Sequence, residues 1–249
     1  MTELISIIVR TYKRDRYLEQ ALESIYLQDY PHIEAIIVNA SKDPLPDNLK
    51  IPEINYKIVQ EKEDLDRAKA LNVGLLNSSG KYIAFLDDDD ELFPWHLSTL
   101  YQEISTEFPI VYSDAYKAIQ KKDLNEKVEY KTNNFILEYS STHSLTKILE
   151  ANFIPIQSLL ITKDCFKGEV FDESFAVLED WDMWIRLSLK FKFKHVKQLT
   201  SEYRIRNDQT NIQGNNLKLW QEARIRINEK FKNVREKYKL PEIKIYNEQ

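Results

Sequence analysis

Four consecutive carboxylates, Asp87 to Asp90, directly follow the apolar segment YIAFL. This segment has the composition of a buried strand, and the carboxyl ends of such strands form the ligand-binding edge of an open α/β sheet. Neighbouring carboxylates make one another harder to ionise, so a cation beside them is stabilising. Mg²⁺ and Mn²⁺ are typically held by one or two carboxylates together with substrate phosphates. The run therefore predicts a cation or nucleotide contact at Asp87 and Asp89, while Asp90 is expected to cap the next helix.

The segments before this run alternate between two periodicities. Continuous apolar runs predict buried strands, and apolar residues three or four apart predict helices. The predicted strands are Leu4 to Val9, Ile33 to Val38, Tyr56 to Val59 and Tyr82 to Leu86, and the predicted helices carry Tyr17 to Ile25 and Leu65 to Leu75. Such alternation predicts an α/β/α sandwich with a mostly parallel central sheet.

The pattern continues less regularly after the acidic run. Pro94 begins a predicted helix with an apolar face that reaches Phe108, and a strand from Ile110 to Tyr112 follows. Asp123-Leu124-Asn125 is a candidate hairpin turn. Further along, the sequence predicts a strand from Ser158 to Thr162 and an amphipathic helix that starts near Asp180.

Composition limits the classes of protein that this chain can represent. With 249 residues, 43% of them hydrophobic and 30% charged, the chain suits one globular domain. A net charge of -5 does not favour broad nucleic-acid binding, which relies on an excess of positive charge. The single cysteine, Cys165, excludes an internal disulfide, and no signal or membrane-spanning segment is evident. We therefore expect a cytoplasmic enzyme, with a peripheral position at the inner face of the membrane as an open alternative.

Several segments, in their order and spacing, resemble one known family. These segments are SIIVRTYKR, EAIIVNAS, ALNVG, GKYIAFLDDDDE and FDESFAVLEDWDMWIRL. Together they resemble an inverting family 2 glycosyltransferase of the GT-A fold, over about residues 4 to 206. The resemblance implies a Rossmann-like α/β/α sandwich that transfers a sugar from a nucleotide-diphosphate sugar, by default a UDP-sugar, to an acceptor hydroxyl.

The resemblance also assigns roles to residues at the predicted sheet edge. Asp87 and Asp89 match the family's D-x-D motif, which implies that Asp87 faces the ribose and that Asp89 ligates Mn²⁺ or Mg²⁺ on the diphosphate. This agrees with the chemistry, because a bound ion stabilises a departing diphosphate without a proton. Arg10 and Thr11 match nucleotide-facing positions, and we include their neighbours Tyr12 and Asp88 among the donor-binding candidates.

Three positions depart from the family's pattern. Asn39 lies where aspartates commonly recognise the base, and it is equally suited to a turn. Asn72 matches the family's A-x-N-x-G element, but the common arginine of that element is Leu71 here. Arg206 replaces the histidine of the Y-R-x-H element, which leaves open whether it contacts the diphosphate or lies on the surface. Asn39, Asn72 and Arg206 are all kept as donor-binding candidates.

Asp180 matches the family's general base. An alcohol attacks poorly unless its proton leaves in the transition state, and a carboxylate within hydrogen-bond reach accepts that proton. This assignment implies inversion by single displacement. The alternative is that Asp180 caps the following helix, a role that does not exclude catalysis. Glu179 is the substitute if the alignment is shifted by one residue.

The last part of the chain predicts a basic amphipathic helix. Its apolar residues from Trp220 to Tyr238 recur every three or four positions, among arginines and lysines. Packing on the chain's own domain, a homodimer contact and an anionic membrane surface are the three alternatives. We expect a GT-A domain at 1–216, with its nucleotide half at about 1–115 and its acceptor half at about 116–216, and a helical extension at 217–249.

The expected partners are a nucleotide-sugar donor and a glycan or lipid-linked acceptor, in polysaccharide or glycoconjugate biosynthesis. The main alternative is a catalytically impaired domain that binds a nucleotide sugar without turnover, because of the changes at Asn39, Leu71 and Arg206. A nucleotidyltransferase would need a glycine-rich loop after the first strand, and 10–16 contain no glycine. A glycoside hydrolase would need neither metal nor nucleotide.

Overall fold

The computed structural model describes residues 2–122, 130–206 and 217–241. One mixed sheet forms its centre. The strands are β1 (Ile5–Thr11), β2 (Ile33–Asn39), β3 (Tyr56–Gln60), β4 (Tyr82–Asp87), β5 (Glu91–Leu92), β6 (Ile110–Lys122), β7 (Tyr130–Tyr139), β8 (Leu159–Thr162) and β9 (Phe193–Arg206). The helices are α1 (Asp15–Tyr26), α2 (Arg67–Asn77), α3 (His96–Glu103), α4 (Leu145–Glu150), α5 (Glu179–Ser188), α6 (Leu217–Lys230) and α7 (Lys232–Lys237).

The first half of the sheet is parallel, as predicted. Its strand order is β3-β2-β1-β4, and β1 pairs with β2 on one side and with β4 on the other. After β1 the chain crosses to β2 on one side, and the later crossover from β3 places β4 on the other side of β1. The gap between the carboxyl ends of β1 and β4 is therefore a topological switch point. Thr11 ends β1 and Asp87 ends β4, so both lie at this crevice.

The second half of the sheet is more extensive than the sequence predicts. The short strand expected at Ile110 to Tyr112 is the beginning of β6, which runs to Lys122 and pairs with β7, β8 and β9. The candidate turn at 123–125 lies outside the described residues. β9 was missed because it carries many polar residues without alternation, and pairing with β6 overrides its weak intrinsic preference.

Helix α3 is shorter than predicted. It ends at Glu103, and the apolar residues Ile104 and Phe108 lie beyond it, although both still pack against the core. The backbone N–H of Ser105 donates to the Phe108 carbonyl at 3.1 Å, and the Ser105 hydroxyl accepts from the Phe108 N–H at 3.1 Å. This local serine turn competes with helical hydrogen bonding and ends the helix.

Apolar cores lie on both faces of the sheet. The α1 face buries Leu18, Leu22 and Ile25, while the other face buries α2, α5 and the C-terminal helices. Gly74 lets α2 lie directly on β1, because a Cβ there would approach Ile8 Cγ2 to 2.3 Å. The same contact brings the first residue of α2, Arg67, to the crevice.

The C-terminal helices pack into the main core. Ala223, Ile227 and Phe231 are buried in the core that also contains α5. Lys230 holds α6 in place by an ion pair to the fully buried Asp182, at 2.6 Å. The apolar stripe of α6 thus packs on the chain's own domain, the first of the three predicted alternatives. The domain boundary at residue 216 stays a prediction, and 242–249 lie outside the described residues.

Within the described ranges, none of the helices has both the length and the apolarity needed to cross a bilayer.

Candidate active site at the carboxyl edge of the sheet

The carboxyl ends of β1 and β4 open into a cavity of about 750 Å³. Seven of the predicted site residues line it: Arg10, Thr11, Tyr12, Asp87, Asp88, Asp89 and Asp180. The structure therefore brings together the end of β1, the acidic run and the start of α5, which are widely separated in sequence. A cavity of this size at a switch point is a typical small-molecule site.

Arg10 and Arg67 bind the two innermost carboxylates. Arg10 makes a bidentate ion pair with Asp87, at 2.5 Å and 2.8 Å, and also donates to Glu179 at 2.6 Å. Arg67 donates to the same Glu179 oxygen at 2.9 Å and lies 3.6 Å from Asp87. Bidentate arginine pairs of this kind fix both partners in orientation. The cluster therefore locks β1, β4, α2 and α5 together at the floor of the cavity.

These arginines set the charge of both carboxylates. Burial alone would raise the pKa of Asp87, but the charges of Arg10 and Arg67 outweigh it and hold that pKa below its ordinary value. Burial likewise opposes ionisation of Glu179, and Arg67 and Arg10 again lower its pKa. Both side chains are thus anionic at neutral pH. Glu179, already paired with two arginines, is a structural anion rather than a free base.

Asp88 and Asp89 are held by other residues, namely Thr11, Arg14 and Arg206. The Thr11 hydroxyl donates to Asp88 at 2.7 Å, and Arg14 lies 3.3 Å from Asp88 and 2.7 Å from Asp89. Burial and then the charge of Asp89 raise the pKa of Asp88 to about 7. Arg206 donates to Asp89 as well, and its guanidinium lies 4.3 Å from the centre of the Tyr17 ring.

The acidic run fits a divalent cation. Asp87, Asp89 and Asp90 each offer an oxygen, and these oxygens lie within 4.8 Å of one another. Asp90 accepts from the Arg204 backbone N–H at 2.8 Å through Oδ1. Its Oδ2 is buried and, among the described residues, has no hydrogen-bond partner. A buried, unpartnered carboxylate oxygen is costly unless a ligand or proton satisfies it.

Asp180 faces the cavity from the first turn of α5. Asn152 donates to its Oδ2 at 2.9 Å, and the Trp181 N–H donates to its Oδ1 at 2.8 Å. Burial, and then the charge of Glu179, raise the pKa of Asp180 to about 6. A carboxylate with this pKa is ionised at neutral pH yet more basic than usual, as a general base requires.

The backbone before Asp180 is strained. Leu178 precedes α5 with a φ of 64° and a ψ of 20°, the left-handed region that a branched side chain rarely occupies. The residue is buried and lines the cavity, so packing holds it in this conformation. This turn places the Glu179 side chain beneath the cavity, paired with Arg10 and Arg67, and places the Asp180 side chain at the cavity surface.

Three of the predicted donor-binding residues do not line the cavity. Asn39 is buried at the end of β2, where it donates to Gln60 at 2.6 Å and accepts from the Ser41 N–H, as a turn residue does. Asn72 donates to the Phe171 carbonyl at 2.9 Å and accepts from the Phe171 N–H at 2.8 Å, which ties α2 to a neighbouring loop. Arg206 is buried behind Asp89.

The side of the cavity around Asp180 is mainly apolar. Its lining there comprises Ala151, Pro155, Ile156, Ala176, Val177, Leu178, Trp181, Leu219 and Trp220. Trp220 projects from α6, and its indole Nε1 is buried without a hydrogen-bond partner in the described part of the chain. The guanidinium of Arg224, one turn further along α6, lies 5.6 Å from the Trp181 ring centre. The C-terminal helix is therefore a wall of the site.

Sequence reasoning missed several polar residues of this site, among them Arg14, Arg67 and Asn152. Arg14 follows Arg10 by four positions and is the last residue of the SIIVRTYKR segment, but the resemblance assigns no role to it. Leu71 lies where the family commonly has an arginine, and Arg67 lies one helical turn before it. Residues four apart share a helix face, so this spacing could have indicated that Arg67 takes the place of the missing arginine. Asn152 lies in an irregular segment, and no sequence pattern pointed to it.

Comparison with known proteins identifies the family. The sequence profile described as Glycosyl transferase family 2 matches residues 6–161, which is more than half of the chain. The chain belongs to this family. A relative from Rickettsia bellii, named as a glycosyltransferase, is 28% identical over 214 residues, which are 85% of this chain and 30% of the relative. The chain thus spans less than a third of that protein.

Solved structures support the fold. TarS 1-349 from S. aureus, in complex with UDP, aligns with a TM-score of 0.66 at 17% identity, over 92% of this chain and 66% of TarS 1-349. The mannosyltransferase PcManGT from Pyrobaculum calidifontis, in complex with GDP-Man and Mn²⁺, aligns with a TM-score of 0.63 at 14% identity, over 94% and 65% of the two chains. The predicted GT-A type fold is confirmed.

Proposed function

We propose that this family 2 glycosyltransferase transfers a sugar from a nucleotide-diphosphate sugar to an acceptor hydroxyl, with inversion at the anomeric carbon. The observation that carries the proposal is the placement of Asp180. This carboxylate, with a pKa raised to about 6, lines the same cavity as Asp87 and Asp89 at the switch point of the sheet. A base and a nucleotide-binding edge that share one cavity are what such a transfer requires.

The donor occupies the β1–β4 side of the cavity in this proposal. Tyr12 is exposed beside the cavity and Leu65 also lines it, so the two offer apolar surface to a nucleotide base. Arg14 lines the cavity and carries positive charge towards the diphosphate. TarS has been solved with UDP and UDP-GlcNAc, and PcManGT with GDP-Man, which supports a nucleotide sugar of this class. A UDP-sugar is our default choice.

Mn²⁺ or Mg²⁺ belongs at Asp89 in this proposal, with Asp87 and Asp90 as the further carboxylates of the cluster. When bound, such an ion stabilises the negative charge of the departing nucleoside diphosphate. The protein's own part is to hold Asp87 ionised through Arg10 and Arg67, and to keep Asp89 beside it. The Mn²⁺ in the PcManGT complex supports a metal in this fold.

Asp180 accepts the acceptor's proton in the transfer step. Asn152 orients its Oδ2, and Glu179 beside it raises its basicity by like charge. The acceptor oxygen attacks the anomeric carbon while the bond to the diphosphate breaks, and the proton passes to Asp180. Because the nucleophile is the acceptor itself, one displacement inverts the anomeric centre.

The acceptor occupies the apolar side of the cavity in this proposal. Trp220 lines the cavity, and its indole offers a flat apolar face that suits the face of a sugar ring. A glycan or a lipid-linked glycan fits this surface, which agrees with a role in polysaccharide or glycoconjugate biosynthesis. The cytoplasmic location, and a membrane or dimer contact through the outer face of α6, stay predictions.

The test is a binding and turnover screen with Asp180→Asn and Asp89→Ala. We expect one donor to bind with metal and to be hydrolysed slowly, or transferred when an acceptor is present. Asp180→Asn should bind that donor but lose turnover, whereas Asp89→Ala should lose both. Donor binding without turnover in the wild-type chain would instead support a catalytically impaired nucleotide-sugar-binding domain. No binding of any donor would contradict the proposal.

A further inference from the structure

The acidic run is neutralised by arginines of the chain itself. The guanidinium groups of Arg10, Arg14, Arg67 and Arg206 pair with Asp87, Asp88, Asp89 and Glu179. Arg204 donates its backbone N–H to Asp90. The crowding of carboxylates in the sequence suggested that a divalent ion must relieve their repulsion. In the folded protein, guanidinium groups already provide much of that relief. The affinity for a cation therefore depends on how these arginines are arranged.

Asp89 is held by two of these arginines. Its Oδ2 accepts from Arg14 at 2.7 Å and also from Arg206. The Arg206 side chain is 3% exposed, and its guanidinium lies 4.3 Å from the centre of the Tyr17 ring. The carboxylate and the ring thus hold this buried guanidinium in place beside Asp89.

This arrangement opposes a cation at Asp89. An ion that coordinates Oδ2 would have to approach the fixed charge of Arg206 and share the oxygen with it, and like charges repel strongly where water is excluded. The neighbouring Oδ2 of Asp90, buried and without a hydrogen-bond partner in the described residues, favours an ion. The two effects act in opposite directions, and substitution of Arg206 removes the one that opposes the ion.

We infer that Arg206 competes with a divalent cation for Asp89, so that the free protein binds the cation weakly and binds it tightly only together with a nucleoside diphosphate. This inference rests on the proposed function. The diphosphate supplies further oxygen ligands, as substrate phosphates commonly do for Mg²⁺ and Mn²⁺. By thermodynamic linkage, the cation then strengthens nucleotide binding by the same factor.

The experiment is a titration of the full chain with Mn²⁺, in which electron paramagnetic resonance measures free Mn²⁺ in the absence and presence of UDP, GDP or dTDP. Without nucleotide, Arg206→His should bind Mn²⁺ roughly tenfold more tightly than the wild type, because a charge is removed and an imidazole ligand is added. Arg206→Lys, which keeps the charge, should bind like the wild type. Arg16→His changes an exposed residue of α1 in the same way and should have no effect.

The wild-type chain also tests the inference without any substitution, in case Arg206→His fails to fold. A nucleoside diphosphate should raise its Mn²⁺ affinity at least about tenfold. Equal Mn²⁺ affinities of the wild type and a folded Arg206→His, without nucleotide, would overturn the competition. Binding of a nucleotide that leaves the Mn²⁺ affinity unchanged would overturn the coupling. Failure of every nucleotide to bind would refute the proposed function, while the nucleotide-free comparison would still decide the role of Arg206.

Discussion

The acid limb of the pH–rate profile tests the base assignment in detail. Asp180 must be ionised to accept a proton, and burial together with Glu179 raises its pKa to about 6. Below that pH the ionised fraction falls tenfold per unit, so kcat/KM should fall with the same slope. At pH 7 and above the rate should be level as far as Asp180 is concerned. Asp180→Asn should lower kcat by about 10²- to 10⁴-fold, the usual contribution of a general base.

Glu179→Gln supplies the directional test. Glu179 raises the pKa of Asp180 by like charge, so its neutralisation should move the acid limb downward, on the order of one pH unit. Glutamine keeps an oxygen that can accept from Arg10 and Arg67, which limits the loss of stability. The shift also separates Asp180 from Asp88, whose pKa of about 7 places a second titration nearby.

The assay is nucleoside diphosphate release between pH 4.5 and 8.5, at subsaturating donor and with thermal unfolding measured at each pH. Asp164→Asn is a matched control, because Asp164 is exposed and forms an ion pair with Lys167 on the surface. The acid limb of the pH–rate profile of Asp164→Asn should coincide with that of the wild type. An acid limb that stays in place in Glu179→Gln, while Asp164→Asn also leaves it unchanged, would refute the electrostatic account of Asp180.

Three further predictions concern stability and the acceptor. Gly74→Ala should destabilise the fold by about 1–3 kcal/mol in urea unfolding, since its Cβ would lie 2.3 Å from Ile8 Cγ2, and an unchanged midpoint would show that α2 can shift freely. Trp220→Ala should raise the KM for the acceptor several-fold and leave donor affinity unchanged, and equal effects on both substrates would contradict its place on the acceptor side. Burial lowers the pKa of His96 to about 3. The stabilisation by neutral His96 is therefore fully present above the ordinary histidine pKa near 6.5. Below that value the free energy of unfolding should fall by about 1.4 kcal/mol per pH unit. His96→Asn should lose this part of the pH dependence in urea unfolding between pH 7 and pH 4.5, and an unaltered dependence would refute it.

The parallel half of the fold could be predicted because its signals are local. The runs LISIIV and YIAFL are buried on both faces, so nearly every position is apolar and the strands are unambiguous in sequence. Since β1 and β4 are parallel neighbours, the position of Asp87 opposite Arg10 follows from the order of the elements. This is why much of the lining of the cavity was within reach of sequence reasoning.

The remaining features depend on tertiary packing. β9 is polar along much of its length and forms a strand through its pairing with β6. Trp220 reaches the cavity because α6 packs on the main core, where Lys230 also pairs with Asp182 of α5, and these contacts join distant segments. Asn39 and Asn72 matched family positions in sequence, but their hydrogen bonds hold turns and loops together.

The central claim is that Asp87, Asp89 and Asp180 serve one transfer reaction. The most direct measurement is nucleoside diphosphate release from UDP-, GDP- and dTDP-sugars with Mn²⁺ or Mg²⁺, with CMP-sugars as donors that lack a diphosphate. The account predicts turnover of one diphosphate donor by the wild type, donor binding without turnover by Asp180→Asn, and neither by Asp89→Ala. Turnover at the wild-type rate by Asp180→Asn, or no donor bound by the wild type, would contradict it.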